Sequence, residues 1–255
     1  MHARSALFDV YGDHLRRRGG RAPISALVAL LEPLGIAAPA VRTAVSRMVR
    51  QGWLSPTDGR GYALTARGAR RMEDSATRIY RTADRAWHGE LDMVLFAPPT
   101  QRRTRSQLTA ALRFWGYAPL APGCWISPWP ANELDGAFAE SGVDFERFGA
   151  AHRGDTVALV RRAWDLDALS KRYRAFVSEL EPVVAAAGTD DSSAYAARFR
   201  LVHEFRVFLF SDPQLPEALR PPDWEGDAAA AFFDTHAARL RPAADRFVDS
   251  CLDAK

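Results

Sequence analysis

The chain has 255 residues, 47% of them apolar and 25% charged, with a net charge of +3. That composition excludes wholesale disorder and leaves room for two or three small domains. No run approaches the roughly 18 apolar residues of a membrane span, and the start lacks the charged segment and apolar core of a leader peptide, so a cytoplasmic protein with no membrane partner is expected. The two cysteines, Cys124 and Cys251, have no CxxC partner and no histidine at zinc spacing, so neither a disulfide framework nor a metal site is expected.

Charge is spread unevenly. Residues 1–90 hold 15 arginines and no lysine against 8 acidic side chains, a local +7, while residues 91–255 carry −4. A basic N-terminal third on a mildly acidic body suits a nucleic-acid-binding module joined to a sensing or assembly part. Within that third, Ser5 to Arg18 reads as a first helix capped by Ser5, with Leu7, Phe8, Tyr11 and Leu15 on its inner stripe. Arg16, Arg17 and Arg18 close it as a solvated end before Gly19-Gly20. Ile24 to Leu34 is a second short helical segment, followed by Gly35.

Pro39 to Leu64 carries the main signal. Val41, Val45 and Met48 fall at i, i+4 and i+7 and form one apolar stripe. Arg42, Thr43, Ser46, Arg47 and Arg50 fall on the other sides. Gly52 suits a helix end. Trp53-Leu54 and Tyr62-Ala63-Leu64 then flank Asp58-Gly59, a pair that favours a two-residue hairpin loop. Helix, turn, helix and basic hairpin in this order is the layout of a winged helix-turn-helix, whose second helix enters the major groove while the hairpin follows the backbone.

Thr65 to Trp87 reads as a long linker helix with Gly68 near its start. The period then changes. Leu91 to Ala97 is a strand stopped by Pro98-Pro99, Thr104 to Trp115 a helix, and Cys124 to Ser127 a strand. Asn132 to Glu140 is a helix, and Val143 to Phe148 and Thr156 to Arg161 are strand candidates. This is the order of a ferredoxin-like domain. From Asp165 the chain is mostly helical, over 165–187, 192–210 and 226–252, with a proline-rich loop at 211–224. The fold class expected is α+β: a winged helix-turn-helix over residues 1–66, a linker helix over 67–89, a ferredoxin-like middle domain over 90–163, and a helical C-terminal domain over 164–255.

Three blocks resemble the PaaX family of transcriptional repressors. They are VRTAVSRMVRQGWL with a wing closing in Tyr62, Ala63, Leu64 and Thr65; LRFWGYAPLAPGCWISP from Leu112 to Pro128; and FRVFLFSDPQLPEALRPPDWEG from Phe205 to Gly226. They stand in the family's order and span nearly the whole chain. The resemblance implies a dimeric repressor of aromatic catabolism genes of the phenylacetate type, released from its operator by an acyl-CoA effector such as phenylacetyl-CoA. It also implies a middle domain like that of the nuclease Cas2. Cas2 places a metal-binding Asp at the end of its first strand; here that strand ends in Phe96-Ala97-Pro98, and Asp92 lies near its beginning.

The DNA-binding candidates are Arg42, Thr43, Ser46, Arg47 and Arg50 on the second helix and Arg60 on the wing, with double-stranded operator DNA as partner. Effector candidates are Trp115, Trp125 and Arg206, an apolar slot and a cation for a CoA thioester. Arg206 lies in an apolar segment and calls for a carboxylate partner, Asp212 or Glu204 from sequence proximity. His203 reads as a hydrogen-bonded core residue. No Ser-His-Asp or paired-carboxylate spacing stands out, so no catalytic residue, no cofactor and no enzyme activity is expected. Two rivals remain: a metal-dependent nuclease using the middle domain, and a winged helix that binds a protein partner.

Overall fold

The computed structural model describes residues 1–59, 61–82, 85–188 and 190–254. It divides into two compact units, one built from residues 1–83, 176–206 and 228–255 and the other from 84–175 and 207–227.

In the first unit, α1 (Ala3–Asp9) starts two residues before the expected Ser5 cap, and Ser5 spends its hydroxyl on Arg206 instead (Nη2 to Oγ, 2.7 Å). The helix does not run evenly to Arg18. It widens into a π turn over Val10–Leu15, tightens to a 3₁₀ turn over Arg16–Arg18 and ends at Gly19, whose φ of +81° is open to glycine. A short strand that sequence reading missed, β1 (Arg21–Pro23), comes next. Then follow α2 (Ile24–Leu31), α3 (Ala38–Arg50), β2 (Leu54–Thr57) and β3 (Gly61–Leu64). The sheet order is β1-β3-β2, with both pairings antiparallel. This is the element order of a winged helix-turn-helix. The register pairs Thr57 with Gly61, so three residues, 58–60, separate the strands rather than the expected two. Arg60 lies outside the described residues.

α4 (Ala66–Ile79) begins at Thr65, whose Oγ1 accepts from Gly68 N at 3.1 Å. A Cβ on Gly68 would sit 2.5 Å from the Trp53 carbonyl, so only glycine lets the helix start this close to the wing. The helix ends at Ile79, well short of the expected Trp87.

The second unit holds β4 (Leu91–Phe96), α5 (Arg102–Phe114), β5 (Ala118–Ala121), β6 (Cys124–Ser127), α6 (Leu134–Ser141) and β7 (Phe145–Ala150). The sheet order is β5-β6-β4-β7 and every pairing is antiparallel. β6 therefore lies between β4 and β5, the split β-α-β arrangement of the ferredoxin-like class. Val94, Leu108, Leu112, Tyr117, Trp125, Leu134 and Phe138 form its core beneath the helices. Thr156 to Arg161, a strand candidate by its β-branched start, is helical: α7 (Thr156–Trp164), capped by Asp155, whose Oδ1 accepts from Ala158 N at 3.0 Å. A local side-chain cap overrides a weak strand preference.

α8 (Leu166–Ala185), α9 (Asp191–Arg206) and α10 (Gly226–Asp253) account for the expected C-terminal helices. A 3₁₀ turn at Val207–Phe210 takes the last residues expected of α9. By its contacts, the stretch from 164 onward is shared between the two units. α9 and most of α10 belong with the winged helix, and residues 207–227 belong with the ferredoxin-like sheet. Tyr195 and Phe199 of α9 and Ala244, Val248 and Cys251 of α10 sit in one core with Leu7, Val10, Tyr11, Leu27, Leu30, Val41, Val45 and Met48. The N-terminal helices therefore complete their core with residues nearly two hundred positions away. Phe199→Ala, fully inside this shared core, should cost about 3–5 kcal/mol in thermal or denaturant unfolding, and the loss should appear in the α3 region as well as in α9.

Candidate nucleic-acid interface

α3 separates its residues cleanly. Val41, Ala44, Val45 and Met48 are buried, while Arg42, Thr43, Ser46, Arg47 and Arg50 are all exposed. The helix carries three arginines and no acidic residue. At about 100° per residue, Pro39, Thr43, Ser46 and Arg50 share a stripe about 60° wide, with Arg42 on one flank and Arg47 on the other. The midline thus carries a proline, two hydroxyls and Arg50, and the flanks are long and cationic. Arg50 Nη1 donates to Ser46 Oγ at 3.1 Å, which aims the guanidinium along the midline. Among the described residues, Arg42 and Arg47 make no ion pair and no side-chain hydrogen bond. Both remain available to an anion.

Several other cations of this unit are already committed. Arg16 pairs with Glu73 at 2.7 Å, and Arg18 with Asp249 at 2.7 Å and Asp245 at 3.1 Å. Arg67 lies over the Trp53 ring, 4.6 Å from its centroid, and Trp53 meets Phe8 edge-on at 5.3 Å. Aromatic packing therefore ties the base of the wing to α1.

The effector candidates fall in different units. Trp125 is part of the ferredoxin-like core and Trp115 packs against that core, edge-on to Phe114 at 5.1 Å. Arg206 belongs to the other unit. Its partner is neither Asp212 nor Glu204: Nε lies 2.6 Å from Asp9 Oδ1. The expectation of a carboxylate held, but proximity in sequence pointed to the wrong one. Asp212 instead accepts from the Tyr173 hydroxyl. His203 is hydrogen-bonded as expected, Nδ1 to Asp9 Oδ2 at 2.6 Å. Asp92 is engaged as well, accepting from the Tyr117 hydroxyl with Arg147 Nε at 3.5 Å. Burial raises its carboxyl, against the pull of Tyr117 and Arg147. Among the described residues no group of three or more His, Cys, Asp or Glu is placed to hold a metal ion.

Sequence reading missed an ion pair whose side chains are both largely shielded. Arg198 Nε and Nη2 reach the two oxygens of Asp13 at 2.9 and 2.8 Å. The Tyr80 hydroxyl donates to Asp13 and accepts from Arg198 at 3.0 Å, and Arg198 Nη1 donates to the Ala237 carbonyl. Burial alone would raise the Asp13 carboxyl, but His14, Arg198 and Tyr80 outweigh it and hold it well below the usual carboxylate range. The one available signal was Asp9 and Asp13 standing among the apolar residues of the first helix.

Known proteins place this arrangement. Residues 2–68 match a description of PaaX-like proteins, 82–156 the PaaX central Cas2-like domain, and 164–250 the PaaX-like C-terminal domain. The combination of a winged helix-turn-helix layout with a Cas2-like domain defines the class, and the chain belongs to the PaaX family. It is 30% identical to the transcriptional repressor PaaX of Escherichia coli (strain K12), over 96% of this chain and 82% of that protein. It is also similar to an uncharacterized protein, Rv0674, of Mycobacterium tuberculosis, with 27% identity, a TM-score of 0.59 and 98% of each chain covered.

His14 gives this unit a predicted acid response. Burial depresses its pKa; Asp13 and Asp245 oppose that, while Arg198 and Arg18 add to it. The unfolded chain takes up a proton near the ordinary value of about 6.5, whereas folded His14 stays neutral to lower pH. The unfolded state then binds more protons, so stability falls as pH drops below about 6.5. Melting temperatures between pH 7.5 and 5.5 should show this decline, and His14→Gln should flatten it.

Proposed function

We propose that the chain is a sequence-specific repressor that reads double-stranded operator DNA with α3. The carrying observation is the exposed face of that helix, with three arginines, two hydroxyls and no carboxylate. The family supports the reading, as does the relative named a transcriptional repressor. In this reading Arg50, steadied by Ser46, reaches a guanine edge from the floor of the face, with Thr43 beside it. Arg42 and Arg47 on the flanks neutralise phosphates on the two walls of the major groove, and Arg60 on the wing adds a backbone contact. The repressor acts as a homodimer on a near-palindromic site with half-sites one helical turn or a multiple apart. It controls genes of phenylacetate-type aromatic catabolism.

Release follows from an acyl-CoA effector, phenylacetyl-CoA or a related thioester. The effector favours an arrangement of the two winged helices that cannot span the half-sites. A near-complete switch takes a differential affinity on the order of 5 kcal/mol. Trp115 and Trp125, within their own unit, are candidates for the acyl group; Arg206, in the other unit and already engaged by Asp9 and Ser5, is not carried forward as a phosphate contact. A nuclease reading is weaker because Asp92 is already held by Tyr117 and Arg147.

The test is an anisotropy titration against the DNA upstream of the chain's own gene cluster, with and without phenylacetyl-CoA. Nanomolar binding that falls steeply with salt and is released by the thioester, but not by free phenylacetate, is expected. Weak, salt-insensitive binding would overturn the reading and favour a protein partner. Substitutions should separate the two roles on α3. Arg42→Ala and Arg47→Ala should each lower the salt slope by about 1 and leave the preference for operator over random DNA intact. Arg50→Ala should keep more of the slope and reduce that preference by roughly 5- to 150-fold, the equivalent of about 1–3 kcal/mol.

A further inference from the structure

α3 rests on α1, and α1 is gripped on its inner side by charge rather than by apolar contact alone. Asp9 and Asp13 point into the unit, with side chains 1% and 5% exposed. Each is met by α9. Arg198 takes both oxygens of Asp13, and His203 and Arg206 take those of Asp9. Tyr80, just after α4, and the Ala237 carbonyl of α10 close the first contact. Three elements, α9, the residue closing α4 and α10, thus converge on two carboxylates, one at the end of α1 and one in the π turn that follows it.

Such a clasp is a poor way to gain stability. Two buried charges lose their hydration, and an apolar pair of the same volume commonly holds a fold equally well. What a two-pronged guanidinium–carboxylate contact adds is a single geometry, whereas an apolar contact tolerates sliding. The backbone carries a second sign of the same requirement. The turn holding Asp13 is the π turn at Val10–Leu15, and such turns are uncommon and concentrate at functional sites.

We infer that Asp13 and Arg198 are positioning residues for DNA recognition: the pair fixes α1 in one register against α9 and so sets the angle at which α3 presents its exposed face. This rests on the reading of α3 as the recognition helix. The pair touches no DNA itself, and its effect is carried by α1.

The experiment replaces the charges by packing. In the full chain, Asp13→Leu with Arg198→Met keeps volume and removes the fixed geometry. The expected result is a variant that melts cooperatively within a few degrees of the unchanged chain, binds its operator at least tenfold more weakly, and exchanges α3 amide hydrogens faster. A folded variant with operator affinity within twofold and α3 exchange unchanged overturns the inference. Where the double variant fails to fold, Tyr80→Phe removes only the hydroxyl that braces Asp13 and Arg198. A loss of operator affinity of threefold or more with its melting temperature kept supports the inference, and an unchanged affinity overturns it. Should the unchanged chain bind no operator, the DNA reading falls separately. The exchange of α3 then decides whether the pair positions that helix, with faster exchange in either folded variant supporting the inference and unchanged exchange overturning it.

Discussion

The contact between Asp13 and Arg198 joins residues 185 positions apart in the chain and ties the first helical run to α9 within the unit that also holds α3. Around it, Tyr195 and Phe199 of α9 and Val248 of α10 fill the inner side of a helical cluster whose outer members are α1, α2 and α3. A helical module of this size buries a smaller share of its surface than a larger domain does and is marginal alone. Here the missing core is supplied from the far end of the chain. The buried side of α3 therefore belongs to a core that is partly C-terminal.

Charge is sorted by the same construction. The N-terminal third carries a surplus of arginine, and the structure consumes part of it: Arg16 and Arg18 are tied to carboxylates of α4 and α10. Three more arginines are placed on α3, where no carboxylate shares the helix. A positive face opposed only by water is costly to leave unpaired at low ionic strength and favourable to present to a polyanion. That balance accounts for a strongly local basicity within a chain whose total charge is only +3.

Much of this was legible in the sequence because it is periodic. The apolar stripe Val41, Val45 and Met48 fixes which side of α3 is buried, and its arginines then have nowhere to go but outward. The ferredoxin-like order was legible for the same reason, since strands and helices differ in period. What was not legible depends on distance in the fold. Arg206 announced that it needed a carboxylate, yet Asp9 sits near the other end of the chain and no local pattern marks it. The amphipathic faces of the C-terminal helices say that something is covered, not what covers it. β1 is three residues long and too short to show a period. Thr156 and Val157 suggested a strand until the Asp155 cap, a single hydrogen bond, is taken into account.

The most direct measurement of the central claim is amide hydrogen exchange of the full chain with and without its upstream operator DNA. The account predicts new protection concentrated in α3 and in the wing between β2 and β3, together with no loss of protection in α1 and α9. Protection confined to the ferredoxin-like unit, with α3 exchanging as in the free protein, would contradict it.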